Sequence, residues 1–261
     1  MRIALGVEYD GVGFSGWQRQ QDRPTVQQAI ETALAAVACE PIAAVCAGRT
    51  DAGVHATCQV LHFDTAAARP LHAWVRGANA HLPAGVAVLW AQPVADDFHA
   101  RFSATARHYR YLLVNRPVRP ALNAGRLGWF HLPLDLEAMR AAARLLLGRH
   151  DFSAFRSAEC QARSPVREVH RIDVDRVGDI IGFSLEANAF LHHMVRNIVG
   201  ALVYVGKGRH TPGWVAEILA SRDRARAAPT FAPDGLYLTG VAYESRWQLP
   251  CGERPVPGWP R

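Results

Sequence analysis

Apolar and polar side chains alternate from residue 2 to residue 9, in the run RIALGVEY. A period of two predicts a half-buried β-strand. The period changes after Thr25, because Thr25-Val-Gln-Gln28 forms a capping box and apolar residues then recur with the spacing of a helix face. The same patterns predict strands at 42–47, 58–64, 86–93, 107–115 and 235–243, helices at 72–82, 136–147 and 191–206, and a hairpin at 169–188 that turns at Gly178-Asp179.

The order of strands and helices is much the same before and after the polar stretch PVADDFHARFSA, residues 93–104. We therefore expect two halves, residues 1–100 and residues 101–248, followed by a loose, Pro-rich tail at 249–261. Hairpins, rather than strict alternation of strand and helix, favour the α+β class with an antiparallel sheet.

The composition is that of an ordinary globular protein, with 261 residues of which 49% are hydrophobic and 20% charged. No apolar run approaches the roughly 18 residues that span a bilayer. Glu8 interrupts the first apolar run too early for a signal peptide. The five cysteines are scattered and form no C-x-x-C pair, which favours reduced thiols. We expect a cytoplasmic protein that does not contact a membrane.

The net charge of +6 is distributed unevenly along the chain. Residues 101–171 hold 13 arginines against five acidic residues, so the positive charge is concentrated in the middle third. A basic segment attracts polyanions, because each phosphate that it neutralises releases condensed counterions. A solvated basic face without a ligand is the alternative, and composition alone leaves both open.

Gly11, Gly13 and Gly16 match the G-x-G-x-x-G pattern of dinucleotide-binding proteins and follow a predicted strand. In that fold a helix begins within the motif, whereas here the predicted helix begins only after Pro24. A tight turn and a close backbone approach explain the glycines better. A nucleotide-dependent enzyme is the least favoured of the functions considered.

A second loop, AGRTDAGVHA at residues 47–56, places Arg49, Thr50, Asp51 and His55 between two apolar strands. Loops supported by rigid strands are common positions for catalytic groups, which makes Asp51 a candidate catalytic carboxylate. The alternative is structural: an Asx turn in which the carboxylate accepts hydrogen bonds from loop amides. For His55 the choice is between contact with the backbone of a polyanion and bracing of the turn.

Arg196 is a charged residue within the strongly apolar helix predicted at 191–206. A buried guanidinium is costly unless a carboxylate meets it, and no acidic residue lies nearby in sequence. The partner must then come from elsewhere in the chain, and Asp51 is the candidate, since pairing would keep its carboxylate ionised. Alternatively, Arg196 reaches the surface along its aliphatic stem.

The histidines favour no metal site. His192 and His193 are adjacent, and side chains of adjacent helical residues point about 100° apart. The sequence also lacks an H-x-x-x-H pair or a nearby cysteine that would complete a ligand set.

Five blocks of sequence carry a family resemblance: YDGVGFSGWQRQ, AGRTDAGVHA, RFSATARHYRY, FLHHMVRNIVG and GLYLTGVAY. In order and spacing they closely resemble the tRNA pseudouridine synthases of the TruA type, over residues 2–243. The Pro-rich tail lies outside the pattern, and Cys58 stands where relatives often carry glycine.

The resemblance implies both a fold and an activity. The implied fold, the pseudouridine synthase fold, has two similar α+β halves around a continuous antiparallel sheet. The implied protein is a homodimer that needs no cofactor and no metal. The implied activity is the isomerisation of uridines to pseudouridine at positions 38, 39 and 40, in the anticodon stem-loop of tRNA.

The resemblance also implies roles for four residues. Asp51 corresponds to the family's essential aspartate, and Tyr109 corresponds to the tyrosine that stacks on the target uracil. Without the resemblance, Tyr109 would be interpreted as a core residue of a strand. Arg49 corresponds to the arginine thought to help displace the base, and Arg196 to the arginine that pairs with the aspartate. The alternative function is a catalytically silent tRNA-binding module or chaperone, against which Asp51, Tyr109 and Arg196 together argue.

Overall fold

A computed structural model describes residues 1–259 of the chain. The chain divides into two compact units: the first is Met1–Ala106 together with the chain from Tyr237 on, and the second is Arg107–Leu236. The first unit is thus built from two separate stretches of sequence. Within residues 1–259, no helix is long and apolar enough to cross a membrane.

Strands and helices both contribute to each unit. The strands are β1 (Arg2–Tyr9), β2 (Val45–Cys46), β3 (His55–Asp64), β4 (Val86–Val94), β5 (Ala104–Asn115), β6 (Gly128–Phe130), β7 (Gly148–Asp151), β8 (Val166–Val177), β9 (Ile180–Ala187) and β10 (Leu236–Tyr243). The α-helices are α1 (Val26–Ala38), α2 (Ala78–His81), α3 (Leu136–Arg144), α4 (Met194–Gly206) and α5 (Trp214–Ser221). Mostly antiparallel strands combined with helices confirm the predicted α+β class.

The first unit is organised around β3. This strand pairs antiparallel with β1 and with the short β2, while β1 also pairs antiparallel with β4. On its other side β3 runs parallel to β10, with Tyr237 opposite His55. Every residue of β3 except Asp64 is buried, so the loop that precedes β3 is attached to the most buried strand of the unit.

The second unit contains an antiparallel set of strands in the order β5, β9, β8, β7, with β6 parallel to β5. Helix α3 packs against α4 and against β8. Gly206 in α4 allows this approach, because a Cβ there would lie 2.8 Å from the side chain of Met139 in α3. Most of α4 is buried, as its apolar sequence predicts.

Several predicted element ends are confirmed. The Oγ1 of Thr25 accepts a hydrogen bond from the N–H of Gln28 (3.4 Å), so Thr25 caps α1. Asp135 caps α3 by accepting from the N–H of Ala138 (3.0 Å). The β8–β9 hairpin turns at Gly178-Asp179, and Gly178 has a φ of +57°.

Other elements differ from the prediction. The predicted strand at 42–47 is only β2, and the predicted helix at 72–82 begins with a π-helical turn over Ala73–Gly77 before α2. Helix α3 ends at Arg144 instead of residue 147, and β7 follows at Gly148. Strands β6 and β7 and helix α5 were not predicted, because each is too short for a clear period.

The tail, predicted to be loose from residue 249, is instead held at Arg254. The N–H of Arg254 donates to the carbonyl oxygen of Thr239 on β10 (2.8 Å), and its carbonyl oxygen accepts from the hydroxyl of Thr57 on β3 (3.2 Å). Val256 is buried. The prediction was therefore wrong for these residues, while its last two positions, 260–261, lie outside the described residues.

Candidate active site

The loop that carries Asp51, residues 47–54, joins β2 to β3 and is fixed at its start by β3. The N–H of Ala47 donates to the carbonyl oxygen of Val60 (2.8 Å). The side-chain amide of the buried Gln59 donates to the carbonyl oxygen of Gly48 (2.6 Å), and its oxygen accepts from the N–H of Gly48 (3.4 Å). One glutamine side chain therefore satisfies both backbone groups of a residue that has no strand partner.

Thr50, directly before Asp51, is held from two directions. Its Oγ1 forms a 2.8 Å hydrogen bond with the hydroxyl of Tyr9 at the end of β1. Its carbonyl oxygen accepts from the N–H of Trp17 (3.0 Å). The rings of Tyr9 and Trp17 contact each other, with centroids 5.9 Å apart, and both are buried. The backbone at Asp51 is thus positioned by a buried aromatic pair.

The glycines of the first loop allow that loop to approach residues 47–54 closely. Gly16 has a φ of +94°, and a Cβ there would lie 2.9 Å from the carbonyl oxygen of Thr50. A Cβ at Gly11 would overlap the carbonyl of Val54, whereas Gly13 has open space around it. Helix α1 begins only at Val26, so the glycine pattern serves packing of two loops and not a phosphate site at a helix N-terminus.

Asp51 and Arg49 both reach the surface of the first unit. Arg49 is exposed and Asp51 is half-buried. Burial raises the pKa of the nearby Cys46 thiol to about 12, against the opposing effect of two positive charges, Arg49 and Arg101.

His55 braces the loop. It is buried at the start of β3, where its Nδ1 accepts a hydrogen bond from the N–H of Gly11 (3.0 Å). Its ring stacks on Tyr237 of β10 with centroids 4.6 Å apart. Of the two roles considered for His55, the structure supports the structural one.

Tyr109 lies on β5 in the second unit, opposite Leu185 of β9. Tyr109 is 8% exposed. Its ring and that of Phe190 pack edge to face, with their centroids 5.1 Å apart. Alternation along the strand places Arg110 on the opposite face, where its Nη2 is 3.1 Å from the carboxylate of Asp175.

Arg196 lies in the first turn of α4 and is half-buried. Its Nε donates to the carbonyl oxygen of Phe231 (2.8 Å), and its own carbonyl oxygen accepts from the N–H of Phe231 (3.3 Å). The backbone of Phe231 thus holds both the carbonyl oxygen and the Nε of Arg196. The predicted ion pair between Arg196 and Asp51 joins residues of different units and stays a prediction.

The next residue, Asn197, is fully buried and anchors this end of α4. Its amide donates to the carbonyl oxygen of Phe155 (2.8 Å). Its oxygen accepts from the Nη2 of Arg224 (3.0 Å) and from the hydroxyl of Thr230 (2.7 Å). All of these groups are satisfied within the second unit, so the position of the Arg196 backbone is well determined.

His192 and His193 precede α4 instead of belonging to it. His193 has a φ of +62°, and the two ring centroids are 4.0 Å apart. The helical geometry that we used to separate their side chains therefore does not apply.

Sequence reasoning missed the residues that support the candidate groups, among them Tyr9, Trp17, Gln59 and Asn197. Tyr9 and Trp17 flank the glycine loop, and Gln59 is a polar residue inside a buried strand. A polar residue in the middle of an apolar run is a signal for such a role, because a buried amide requires partners. Asn197 carries the same signal within α4.

The first unit carries a carboxylate, Asp51, and an arginine, Arg49, on one fixed loop, and the second carries the strand tyrosine Tyr109 and most arginines of the basic segment. The chain belongs to the tRNA pseudouridine synthase family, whose sequence model matches residues 6–103 and 142–244.

Individual relatives agree with this assignment. The chain is 63% identical to tRNA pseudouridine synthase A of Dechloromonas aromatica over 250 residues, which cover 96% of this chain and 95% of the relative. It is 60% identical to tRNA pseudouridine synthase A of Thiobacillus denitrificans, with 96% of each chain covered. A solved Cbf5-Nop10-Gar1 complex matches 77% of this chain and 45% of the other at a TM-score of 0.34 and 12% identity, a likeness too weak to support any assignment.

Proposed function

We propose that this protein isomerises uridines to pseudouridine at positions 38, 39 and 40 in the anticodon stem-loop of tRNA. The observation that carries the proposal is the position of Asp51, half-buried on a loop whose backbone is fixed by Tyr9, Trp17 and Gln59. A catalytic carboxylate must be held in place while it remains accessible to the substrate, and this loop provides both conditions. The family relationship and the five motif blocks support the same activity.

The reaction breaks the C1′–N1 bond, rotates the uracil within the site, and joins C1′ to C5. The C5 proton is lost and N1 gains a proton, so the reaction needs no oxidant, reductant or second substrate. Asp51 would attack C1′ or C6, or would move protons while an elimination intermediate forms. One ionised acid is sufficient, in contrast to the paired carboxylates of glycoside hydrolases.

The target uridine must leave its stack before Asp51 can reach it, at a cost of a few kcal/mol. Tyr109 supplies an aromatic face that offsets part of this cost, and its contact with Phe190 fixes the plane of the ring. Arg49, two residues before Asp51 and exposed, would occupy the position that the base vacates. Arg196 would pair with the carboxylate and keep it ionised.

The basic segment at 101–171 is the proposed surface for the tRNA backbone, since its excess of arginines matches a polyanionic substrate. In this proposal the protein acts as a homodimer in the cytoplasm. It uses no cofactor and no metal, because the isomerisation needs only a carboxylate, an aromatic face and positive charge.

Two measurements test the proposal. Release of tritium from tRNA labelled at C5 of uridine reports the reaction directly, and a catalytically silent tRNA-binding protein would release none. Mapping of pseudouridine in tRNA from a deletion strain tests the positions: loss at 38, 39 and 40 alone is expected. Loss at other positions, with these three retained, would contradict the assignment while leaving the enzyme class intact.

A further inference from the structure

One large hydrophobic side chain of the first unit has no role in the reaction described above. Phe102 is 76% exposed. Its neighbour Phe98, four residues earlier, is fully buried against Tyr243 and Trp247. Residues 98–103, called the Phe102 turn below, therefore hold one aromatic ring inside the unit and present another to solvent.

The Phe102 turn is rigid, so the exposure of the ring does not come from a loosely held loop. The N–H of His99 donates to the Oγ of Ser103 (3.0 Å), and the N–H of Ser103 donates to the carbonyl oxygen of His99 (2.8 Å). The Nδ1 of His99 accepts from the N–H groups of both Arg101 and Phe102, each at 3.2 Å. Five backbone polar groups of the turn are thus satisfied within the turn itself.

The turn is also attached to the sheet of the first unit. The N–H of Ala100 donates to the Nδ1 of the buried His62 on β3 (3.1 Å). The carbonyl oxygen of Ala100 accepts from the hydroxyl of Tyr243 on β10 (2.6 Å). With both backbone groups of Ala100 anchored, the side chain of Phe102 is presented from a fixed base.

A cation lies beside the exposed ring. The guanidinium carbon of Arg101 is 5.7 Å from the centroid of the Phe102 ring, within cation–π range. The His99 ring lies 4.3 Å from the same centroid, at 32°. The Phe102 turn thus combines an exposed aromatic ring with a positive charge.

We propose that an unpaired nucleobase of the tRNA substrate stacks on the exposed ring of Phe102, with Arg101 contacting an adjacent phosphate. The proposal rests on the tRNA substrate given under Proposed function. A rigid aromatic ring with an arginine beside it is the combination that binds splayed bases of single-stranded RNA. The contact would add to the affinity of the protein for tRNA.

Charge decides between RNA and a second copy of this chain as the occupant. A second copy would bring its own arginines, because the chain carries a net charge of +6. Arg49 and Arg101 would then repel their partner's cations, whereas RNA phosphates would neutralise both.

The experiment compares Phe102→Ala, Phe102→Trp and the matched control Leu71→Ala, which removes another exposed apolar side chain of the same unit. Equilibrium binding of tRNA and steady-state kinetics are measured for each, and the oligomeric state is determined by sedimentation. Because Phe102 is largely exposed, its removal is expected to leave the unfolding temperature almost unchanged.

Phe102→Ala is expected to weaken tRNA binding and raise KM by about 5- to 100-fold, the usual range for loss of one stacked base. The kcat should change little, since the contact is made equally in the ground and transition states. Phe102→Trp should restore binding, and Leu71→Ala should resemble the wild type. Arg101→Gln should lower the slope of log Kd against log salt by about one unit, whereas Phe102→Ala should leave the slope unchanged.

The proposal would be overturned if Phe102→Ala bound tRNA as tightly as the wild-type protein does. It would also be overturned if the substitution changed the oligomeric state, because the ring would then be a subunit contact. The binding measurement does not depend on turnover. If wild-type protein formed no pseudouridine but Phe102→Ala still bound tRNA more weakly, the proposed function would fail while the stacking site stood.

Discussion

The N–H of Trp17 donates a 3.0 Å hydrogen bond to the carbonyl oxygen of Thr50, the residue directly before Asp51. This bond joins the glycine loop after β1 to the loop of the candidate catalytic residue. Two motifs that are separate in sequence therefore form one local structure. Gly16, the last glycine of the pattern that resembles a nucleotide-binding motif, instead allows this close approach to Thr50.

Gly16 tests the importance of that contact. We expect Gly16→Ala to destabilise the protein by about 1–3 kcal/mol, because the position has a positive φ and a Cβ would crowd Thr50. The kcat should fall as well, since the backbone at Asp51 must shift. Gly13→Ala is the matched control, because nothing lies within 4 Å of its Cβ position. Thermal unfolding and kcat are the measurements, and equal behaviour of the two variants would contradict the prediction.

Asp51→Asn should retain tRNA binding and lose turnover. The substitution keeps the shape of the side chain and removes its charge, so a loss of at least about a thousandfold in kcat is expected for a group that acts as nucleophile or base. Tritium release measures turnover, and filter binding measures affinity. Activity within tenfold of the wild type would show that another group performs the chemistry.

Arg196 tests the predicted ion pair. Without the guanidinium, the carboxylate of Asp51 would lose its proposed partner, so Arg196→Met should reduce kcat strongly. Arg196→Lys should recover only part of the activity, because an ammonium group lacks the planar, two-pronged contact.

The double variant provides the control for this pair. Arg196→Met combined with Asp51→Asn should be no less active than Asp51→Asn alone, since the two residues would serve one function. Fully additive losses of kcat would rule out the pairing. The arginine would then be assigned to phosphate binding, with an effect on KM.

Salt dependence tests the basic segment. The affinity for tRNA should fall linearly on a log–log plot against salt, and Arg119→Gln should lower the slope by roughly one unit if its side chain neutralises one phosphate. The control is Arg246→Gln, an exposed arginine outside the basic segment that pairs with Glu244. If the affinity for tRNA stayed constant from low to moderate salt, the proposed electrostatic role of residues 101–171 would be excluded.

His62 predicts how stability depends on pH. Burial, with smaller effects of His99 and Arg2, lowers the pKa of His62 to about 4 from an ordinary value of 6.5. The unfolded chain therefore takes up this proton at a higher pH than the folded protein does. The contribution of His62 to the free energy of unfolding should be constant above about pH 6.5, decrease as the pH falls towards 4, and level off below that. The total decrease should be at most about 3 kcal/mol.

Replacement of His62 by glutamine should flatten this part of the curve. Urea denaturation at several pH values measures the effect, with His81→Gln as a control, because His81 is exposed on α2. An equally steep loss between pH 6.5 and 4 in His62→Gln would assign the dependence to other groups.

Local signals in the sequence predicted the elements that they control directly. Thr25 and Asp135 cap helices through contacts within three residues, so their roles were visible in the sequence. The bond between Trp17 and Thr50, and the parallel pairing of Tyr237 with His55, join distant residues and leave no periodic trace. The candidate residues were found through their chemical type and the family motifs, whereas the residues that hold them depend on tertiary contacts.

The pairing of β10 with β3 has a consequence for how the protein is made. A ribosome releases β10 long after β3, so β3 lacks one neighbour while the intervening residues are synthesised. The ring of His55 also lacks Tyr237, on which it stacks in the folded protein. A nascent chain that has not yet reached β10 would therefore expose an unpaired edge of β3 and lack one support of the loop of Asp51.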